Sequence, residues 1–312
     1  MAKETAILLA TYNGGKYLKE QLNSIFSQRY SNFDLIIHDD GSDDNTIKII
    51  DEYMQKYNNI IIMNSPFFHD AKRSFIELLT FSSEKNYEYF AYCDQDDVWK
   101  SDKLEKQISI LKNNNCNRPF VVFSDMEVVN EKLTTISKSF VSYNKLHPSR
   151  LTWKELLFNN PGAGCSMAFN NKLANKIVSI KQIENITMHD HWTLLVASIY
   201  GDIFYCEDKL ILYRQHESNC VGAQDKSLIN LLKTKLFNLG LKKQIVQTRE
   251  YIDNTRLMAT EILKLPNLNE QIERELSQFI EIKNKNKFKR VAFYILKKYK
   301  KAERNWWMML WV

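Results

Sequence analysis

The 312-residue chain predicts an α/β protein, with a mostly parallel central sheet flanked by helices and a helical C-terminal extension. Three observations carry that expectation. Short apolar runs alternate with amphipathic ones through the first third of the chain, the pattern of parallel strands joined by right-handed helical crossovers. Two of the apolar runs end in carboxylates, Asp39-Asp40-Gly41-Ser42 and Asp94-Gln95-Asp96-Asp97, where an α/β sheet opens its ligand crevice. From Lys226 onward the apolar spacing turns helical, interrupted near Pro266 and Asn267.

Ala6–Ala10 reads as the first strand, and Asn13-Gly14-Gly15 as the turn into a helix through Leu18, Leu22, Ile25 and Phe26. Phe33–His38 follows as a strand without clean alternation, which fits burial on both faces. A helix from about Asn45 to Tyr57, the strand Ile60–Met63, a helix near Ser74–Ser82, the strand Tyr89–Cys93 and a helix from about Lys100 to Leu111 complete the alternation. Past the strand Phe120–Asp125 the pattern loosens, and the polar segment Asn130–Ser149 reads as a loop over the crevice. Pro161-Gly162-Ala163-Gly164 is a second flexible stretch leading into the strand Ser166–Phe169. Asp190–Tyr200 reads as a helix, Ile203–Cys206 and Leu210–Tyr213 as strands, and the boundary to a second, helical region falls near residue 225.

Composition narrows the function. No apolar run reaches the roughly 18 residues that span a bilayer, and no secretory signal is expected. The five cysteines lack CxxC or zinc spacing, which fits a reducing cytoplasm. The net charge of +6 resides in the tail: Lys283 to Arg304 holds ten basic residues and one acid. A slightly acidic body argues against nucleic acid as a partner. Residues Phe288–Val312 combine that charge with a helical apolar stripe and Trp306, Trp307 and Trp311, the composition of a segment lying on an anionic membrane; a docked terminal helix is the other reading.

The chemistry is expected at strand ends. Asp94 and Asp96 at i and i+2 suit Mg²⁺ or Mn²⁺, which take carboxylate oxygens together with substrate phosphates. Asp39 or Asp40 can accept from a pyrimidine imide or a ribose hydroxyl, or simply cap the next helix. Thr11, Tyr12 and Asn13 end the first strand beside the same crevice, with Tyr12 able to stack on a base. Asp190, between His189 and His191, is either a capping residue or a general base. The two histidines have the wrong spacing for a zinc pair on one helix face. Arg214 offers a fork of donors to phosphate, and His216 can ligate the cation or donate to a phosphate oxygen. Asn13-Gly14-Gly15 is not the spaced G-x-G-x-x-G of a dinucleotide enzyme.

Together these residues resemble the family-2 glycosyltransferases of the GT-A fold over roughly residues 4–225. Residues 5–15 resemble the family's opening strand and turn, Asp39-Asp40-Gly41-Ser42 its nucleotide motif, and Asp94–Trp99 the Asp-x-Asp motif as bacterial rhamnosyltransferases carry it. Gly164 and Cys165 resemble its acceptor-side segment, to which His189, His191 and Trp192 are assigned as well. His189-Asp190 stands in place of the catalytic pair, and Tyr213–His216 resembles the pyrophosphate and metal motif. One departure is Asn64–Asp70, where many relatives carry an Asn-x-Gly turn, with Ser74-Phe75 in place of the helix start that follows.

The resemblance implies a catalytic domain over 1–225 and an inverting transfer from a nucleoside-diphosphate sugar. Asp190 would be the base. Asp94, Asp96 and His216 would hold Mg²⁺ or Mn²⁺, while Thr11, Tyr12, Asn13, Asp39, Asp40, Asp94, Gln95 and Arg214 would bind the donor. The expected donor is dTDP-rhamnose and the acceptor a lipid-linked saccharide, on the cytoplasmic face of the membrane. UDP-hexose or UDP-N-acetylhexosamine donors, a non-catalytic nucleotide-sugar-binding assembly factor and a homo-oligomer stay open.

Overall fold

The computed structural model describes residues 3–114, 117–148, 151–217, 238–286 and 289. Strand β1 (Thr5–Thr11) is central to the first half, with β2 (Phe33–Asp39) and β4 (Tyr89–Cys93) on its two sides, both parallel. Strand β3 (Ile60–Ile62) extends that parallel half beyond β2. Helices α1 (Leu18–Phe26), α2 (Thr46–Met54) and α3 (Ala71–Ser83) make the crossovers. Thr11 pairs with Asp39 and Leu9 with Cys93, so the carboxylate motifs after β2 and β4 leave the sheet along one edge.

Antiparallel pairing enters after β4, and β8 (Met167–Asn170) runs antiparallel to both β4 and β6 (Phe120–Val129). The two strands expected at 203–206 and 210–213 are one, β9 (Asp202–Arg214). It runs parallel to β6 across register shifts around Asp125, which bend it so that its far end pairs with β5 (Val98–Trp99). The final order is β3-β2-β1-β4-β8-β6-β9-β5, and β7 (Thr135–Ser137) pairs with β6. The segment expected as a loop at 130–149 thus contains β7 and the single turn α5 (Phe140–Tyr143). Buried Asp125 anchors it by accepting from the Ser139 hydroxyl and the Val141 amide.

Apolar side chains leave the sheet on both faces, as the unalternating strands require. One layer joins Leu18, Leu22 and Ile25 of α1 to Leu104, Ile108 and Leu111 of α4 (Lys103–Asn113). The other joins α3, α6 (Trp153–Leu156), α7 (Asn171–Ile177) and α8 (His189–Tyr200). Helix α3 begins three residues earlier than expected because Asp70 caps it, accepting from the Lys72 and Arg73 amides. The C-terminal helices α9 (Asn238–Leu263) and α10 (Glu270–Glu281) bury Ile252, Met258, Ile262, Leu276 and Phe279 in that second layer, alongside Trp192 and Phe158. The boundary expected near residue 225 and most of the basic, tryptophan-rich tail lie outside the described residues. Among the described residues no helix is long and apolar enough to cross a membrane.

Candidate active site

The loop Asp94–Asp97 leaves β4 and enters β5, which holds it against the far end of β9. Asp96 Oδ2 lies 2.8 Å from His216 Nε2, just past β9. Fully buried Asp97 accepts the Arg214 amide at 3.0 Å, fastening the two segments together. Asp94 is partly open to the crevice, yet burial and then the charges of Asp96 and Asp190 push its carboxyl up to about 7. Three carboxylates crowd one place. Hard oxygens repelling one another in this way fit a divalent cation, whose charge relieves the repulsion.

A second constellation, Asp94, Asp97 and Cys165, has ligand-type atoms within 4.8 Å of one another. It is a poorer cation site. Burial and the flanking carboxylates push the Cys165 thiol well up, so it stays protonated and hydrogen-bonds to Asp94 and Asp97. Of the expected ligands, Asp96 and His216 meet at 2.8 Å and offer hard donors suited to Mg²⁺ or Mn²⁺, whereas Asp94 is gathered with Asp97 and Cys165 instead.

Asp190 lies in the first turn of α8, but the residue in the N-cap position is Met188. Its carboxylate reaches sideways and accepts the Gly164 amide at 3.1 Å, with a further bond from Asn160. The Gly164–Ser166 turn precedes β8. A side chain at Gly164 is excluded, because its Cβ would sit 2.5 Å from His189 Nε2. Burial raises the Asp190 carboxyl to about 6, a value suited to a base that is ionised at neutral pH. Asp190 and the carboxylate loop both adjoin the Gly164–Ser166 turn, Asp190 through the Gly164 amide and Asp94 and Asp97 through Cys165.

Several side chains assigned to ligands are committed to the protein. Trp192 is fully buried and donates its indole N–H to Ile177 O, which removes it from any acceptor. His191 has one ring nitrogen on the Thr187 hydroxyl and the other on Leu156 O, so it belongs to the core. His189 stacks on Phe75 and meets Tyr92 edge-on, where burial lowers its pKa to about 3 and keeps it neutral, and both its ring nitrogens are buried without a hydrogen-bond partner. Arg214 was expected on phosphate. It is 1% exposed, and its guanidinium donates to Asp96 O at 2.7 Å, to Glu131 O at 2.6 Å and to the Glu20 carboxylate. It braces the Asp94–Asp97 loop.

On the donor side, Gln95 closes its amide on the Tyr12 backbone, accepting the N–H at 2.9 Å and donating to the C=O at 3.0 Å. It therefore positions Tyr12. Asp39 accepts from the Thr11 and Ser42 hydroxyls and from the Gly41 and Ser42 amides. Asp40 accepts from the Phe68 amide and the Ser74 hydroxyl, which ties the divergent 64–70 loop to β2. Asn13, at φ 48°, accepts the Asp43 amide. Gly41, at φ 90°, leaves room for the Phe67 ring, 3.1 Å from where a Cβ would stand. Tyr12 and Phe67 remain 53% and 60% exposed, two aromatic faces beside the crevice. Tyr17, stacked on His216 at 4.7 Å, and Glu20 and Glu131, which hold Arg214, were not anticipated. No local pattern marks them.

Residues 6–177 match the family model described as glycosyl transferase family 2. The chain is 29% identical over 248 residues to the dTDP-rhamnosyl transferase RfbG of Shigella flexneri, a match covering 75% of this chain and 78% of that protein. It is 28% identical over 160 residues to the Escherichia coli UDP-Glc:alpha-D-GlcNAc-diphosphoundecaprenol beta-1,3-glucosyltransferase WfgD, covering 51% of this chain and 57% of the relative. The fold is shared with residues 1–349 of S. aureus TarS in complex with UDP, at TM-score 0.58 and 16% identity over 96% of this chain and 76% of that one. It is shared too with the mannosyltransferase PcManGT from Pyrobaculum calidifontis in complex with GDP-Man and Mn2+, at TM-score 0.55 and 12% identity over 97% and 77%.

Proposed function

The chain belongs to glycosyl transferase family 2 and is a glycosyltransferase, and we propose that it moves a sugar from a nucleoside diphosphate to an acceptor hydroxyl with inversion. Asp190 accepts the hydroxyl proton while that oxygen forms a bond to the anomeric carbon. The bond from that carbon to the diphosphate oxygen breaks on the opposite side. A single carboxylate that activates the attacking oxygen, with no paired nucleophile, fits one displacement, as in inverting glycosidases. A Mg²⁺ or Mn²⁺ held by Asp94, Asp96 and His216 would supply Lewis-acid stabilisation of the departing diphosphate. Arg214 and Asp97 keep those ligands in place, and Tyr12 and Phe67 offer stacking faces to the base. The observation supporting this reading is that the Gly164–Ser166 turn meets Asp190 through the Gly164 amide and meets Asp94 and Asp97 through Cys165.

The donor proposed is dTDP-rhamnose and the acceptor a lipid-linked saccharide, read from the names of the relatives together with the 94–99 and 189–216 motifs. The glucosyltransferase relative and the UDP complex of the structural neighbour favour a UDP-sugar as the second reading. Thermal-shift titration with dTDP, UDP and their sugars, with and without Mn²⁺, decides between them, since a ligand selective for the folded state raises its stability. A larger shift with dTDP supports rhamnosyl transfer, and a larger shift with UDP replaces it. The basic, tryptophan-rich composition of residues 288–312 supports a seat on the cytoplasmic face of an anionic membrane. Truncation after residue 285 is expected to release the protein from anionic liposomes, and unchanged co-sedimentation would rule the tail out as anchor.

A further inference from the structure

Helix α4 carries two side chains that the reaction scheme does not use and that solvent does not reach. Lys103 and Gln107 are both fully buried and lie one helical turn apart. A buried ammonium is costly to desolvate, and burial pulls the Lys103 pKa down to about 8. The ammonium lies 3.7 Å from the centroid of the Trp99 ring and donates to Gln107 Oε1 at 2.9 Å. Burial holds the Cys93 and Cys165 thiols protonated, so neither supplies a counter-charge to it.

A carboxamide has two chemically opposite ends, and an ammonium can only donate. Lys103 therefore turns the oxygen of Gln107 toward itself and the NH₂ away. That NH₂ donates to the Ser166 carbonyl at 2.7 Å. Ser166 closes the turn whose first residue, Gly164, donates its amide to Asp190, and whose middle residue, Cys165, lies against Asp94 and Asp97. One short turn thus touches the base on one side and the carboxylate loop on the other, and its closing carbonyl is bonded to α4 through Gln107.

We propose that Lys103 and Gln107 are positioning residues that hold the Gly164–Ser166 turn in register, so that Asp190 and the Asp94–Asp97 loop face one reacting centre. The inference rests on the reading of Asp190 as the base of glycosyl transfer. A pair that merely filled the core would alter stability and leave the rate per folded molecule unchanged. A pair that sets the position of the base alters turnover, because a misplacement of about 1 Å costs on the order of 10²-fold.

The test uses the full chain with Mn²⁺ and dTDP-rhamnose, UDP-glucose and UDP-N-acetylglucosamine as donors, following release of the nucleoside diphosphate. Lys103→Met keeps the length of the side chain and frees the amide to flip. Gln107→Glu keeps an acceptor toward Lys103 but sets a carboxylate oxygen against the Ser166 carbonyl. Each variant is expected to lower kcat by about ten-fold or more, with donor KM within about two-fold of wild type. Asp190→Asn is the control. Turnover in that variant would overturn the base assignment itself. An inactive Asp190→Asn beside Lys103→Met and Gln107→Glu variants that keep kcat within about two-fold would overturn the positioning inference alone. Should Lys103→Met not fold, Gln107→Glu, which keeps an acceptor for the Lys103 ammonium, decides by the same criterion.

Discussion

Replacing Asp190 by Asn should leave the fold as stable or more stable while removing activity, and the size of both effects follows from its surroundings. The carboxyl is nine-tenths buried and raised from 3.8 to about 6, chiefly by desolvation. A shift of that size corresponds to about 3 kcal/mol disfavouring the ionised form in the folded protein. A raised carboxyl contributes stability at low pH and loses it as pH climbs from about 4 through 6, then no further. Asn carries no charge and escapes that loss. Against it stands the weakened acceptance of the Gly164 and His191 amides, about 1 kcal/mol for each bond lost. The thermal midpoint of Asp190→Asn relative to wild type should therefore rise between pH 4 and about pH 6.5 and then level off. Turnover should fall by roughly 10²–10⁴-fold, the usual contribution of a general base. Wild-type turnover should itself fall as pH drops below about 6, where the base becomes protonated. Scanning calorimetry of the ligand-free protein and a transfer assay over the same pH range measure both. An Asp190→Asn protein within about three-fold of wild-type turnover would refute the reasoning. So would one destabilised by several kcal/mol at pH 7.

Asp96→Ala should abolish the Mn²⁺-dependent thermal stabilisation by nucleoside diphosphate and leave the midpoint without metal nearly unchanged; a preserved shift would remove Asp96 from the cation site. Arg214→Lys keeps the charge but cannot reproduce the fork to Asp96 O, Glu131 O and Glu20, so it should cost about 3 kcal/mol by denaturant titration and weaken Mn²⁺ binding. Trp192→Phe should cost about 1–3 kcal/mol through a smaller ring and an orphaned Ile177 carbonyl, with kcat per folded molecule unchanged. A fall in kcat in that variant would return Trp192 to the site.

The parallel half of the sheet was legible because β1, β2 and β4 are apolar on both faces and β2 and β4 lead into carboxylates, a local signal that needs no tertiary knowledge. The expectation that Asp94, Asp96 and Asp190 share one crevice came from their order along the chain and the geometry of such sheets. The single strand β9 was not legible, since the polar Glu207-Asp208-Lys209 stretch reads as a turn and only the shifted pairing around Asp125 keeps it in the sheet. Side-chain commitments were hidden for a different reason. Arg214, Gln95 and Trp192 each have chemistry suited to a ligand, and residue type cannot say that Glu131, the Tyr12 backbone and Ile177 already claim their donors. The helix-cap reading of Asp190 was incomplete likewise, because one carboxylate oxygen accepts the His191 amide in its own first turn while the other reaches Gly164, 26 residues away.

One crevice must serve both the diphosphate and the acceptor proton, and a crystal structure with Mn²⁺ and dTDP or UDP would show whether it does. The anomalous signal of Mn²⁺ should lie on Asp96 and His216, with the terminal phosphate on the side of the metal that faces Asp190. Manganese seated elsewhere, or a diphosphate leading away from Asp190, would contradict it.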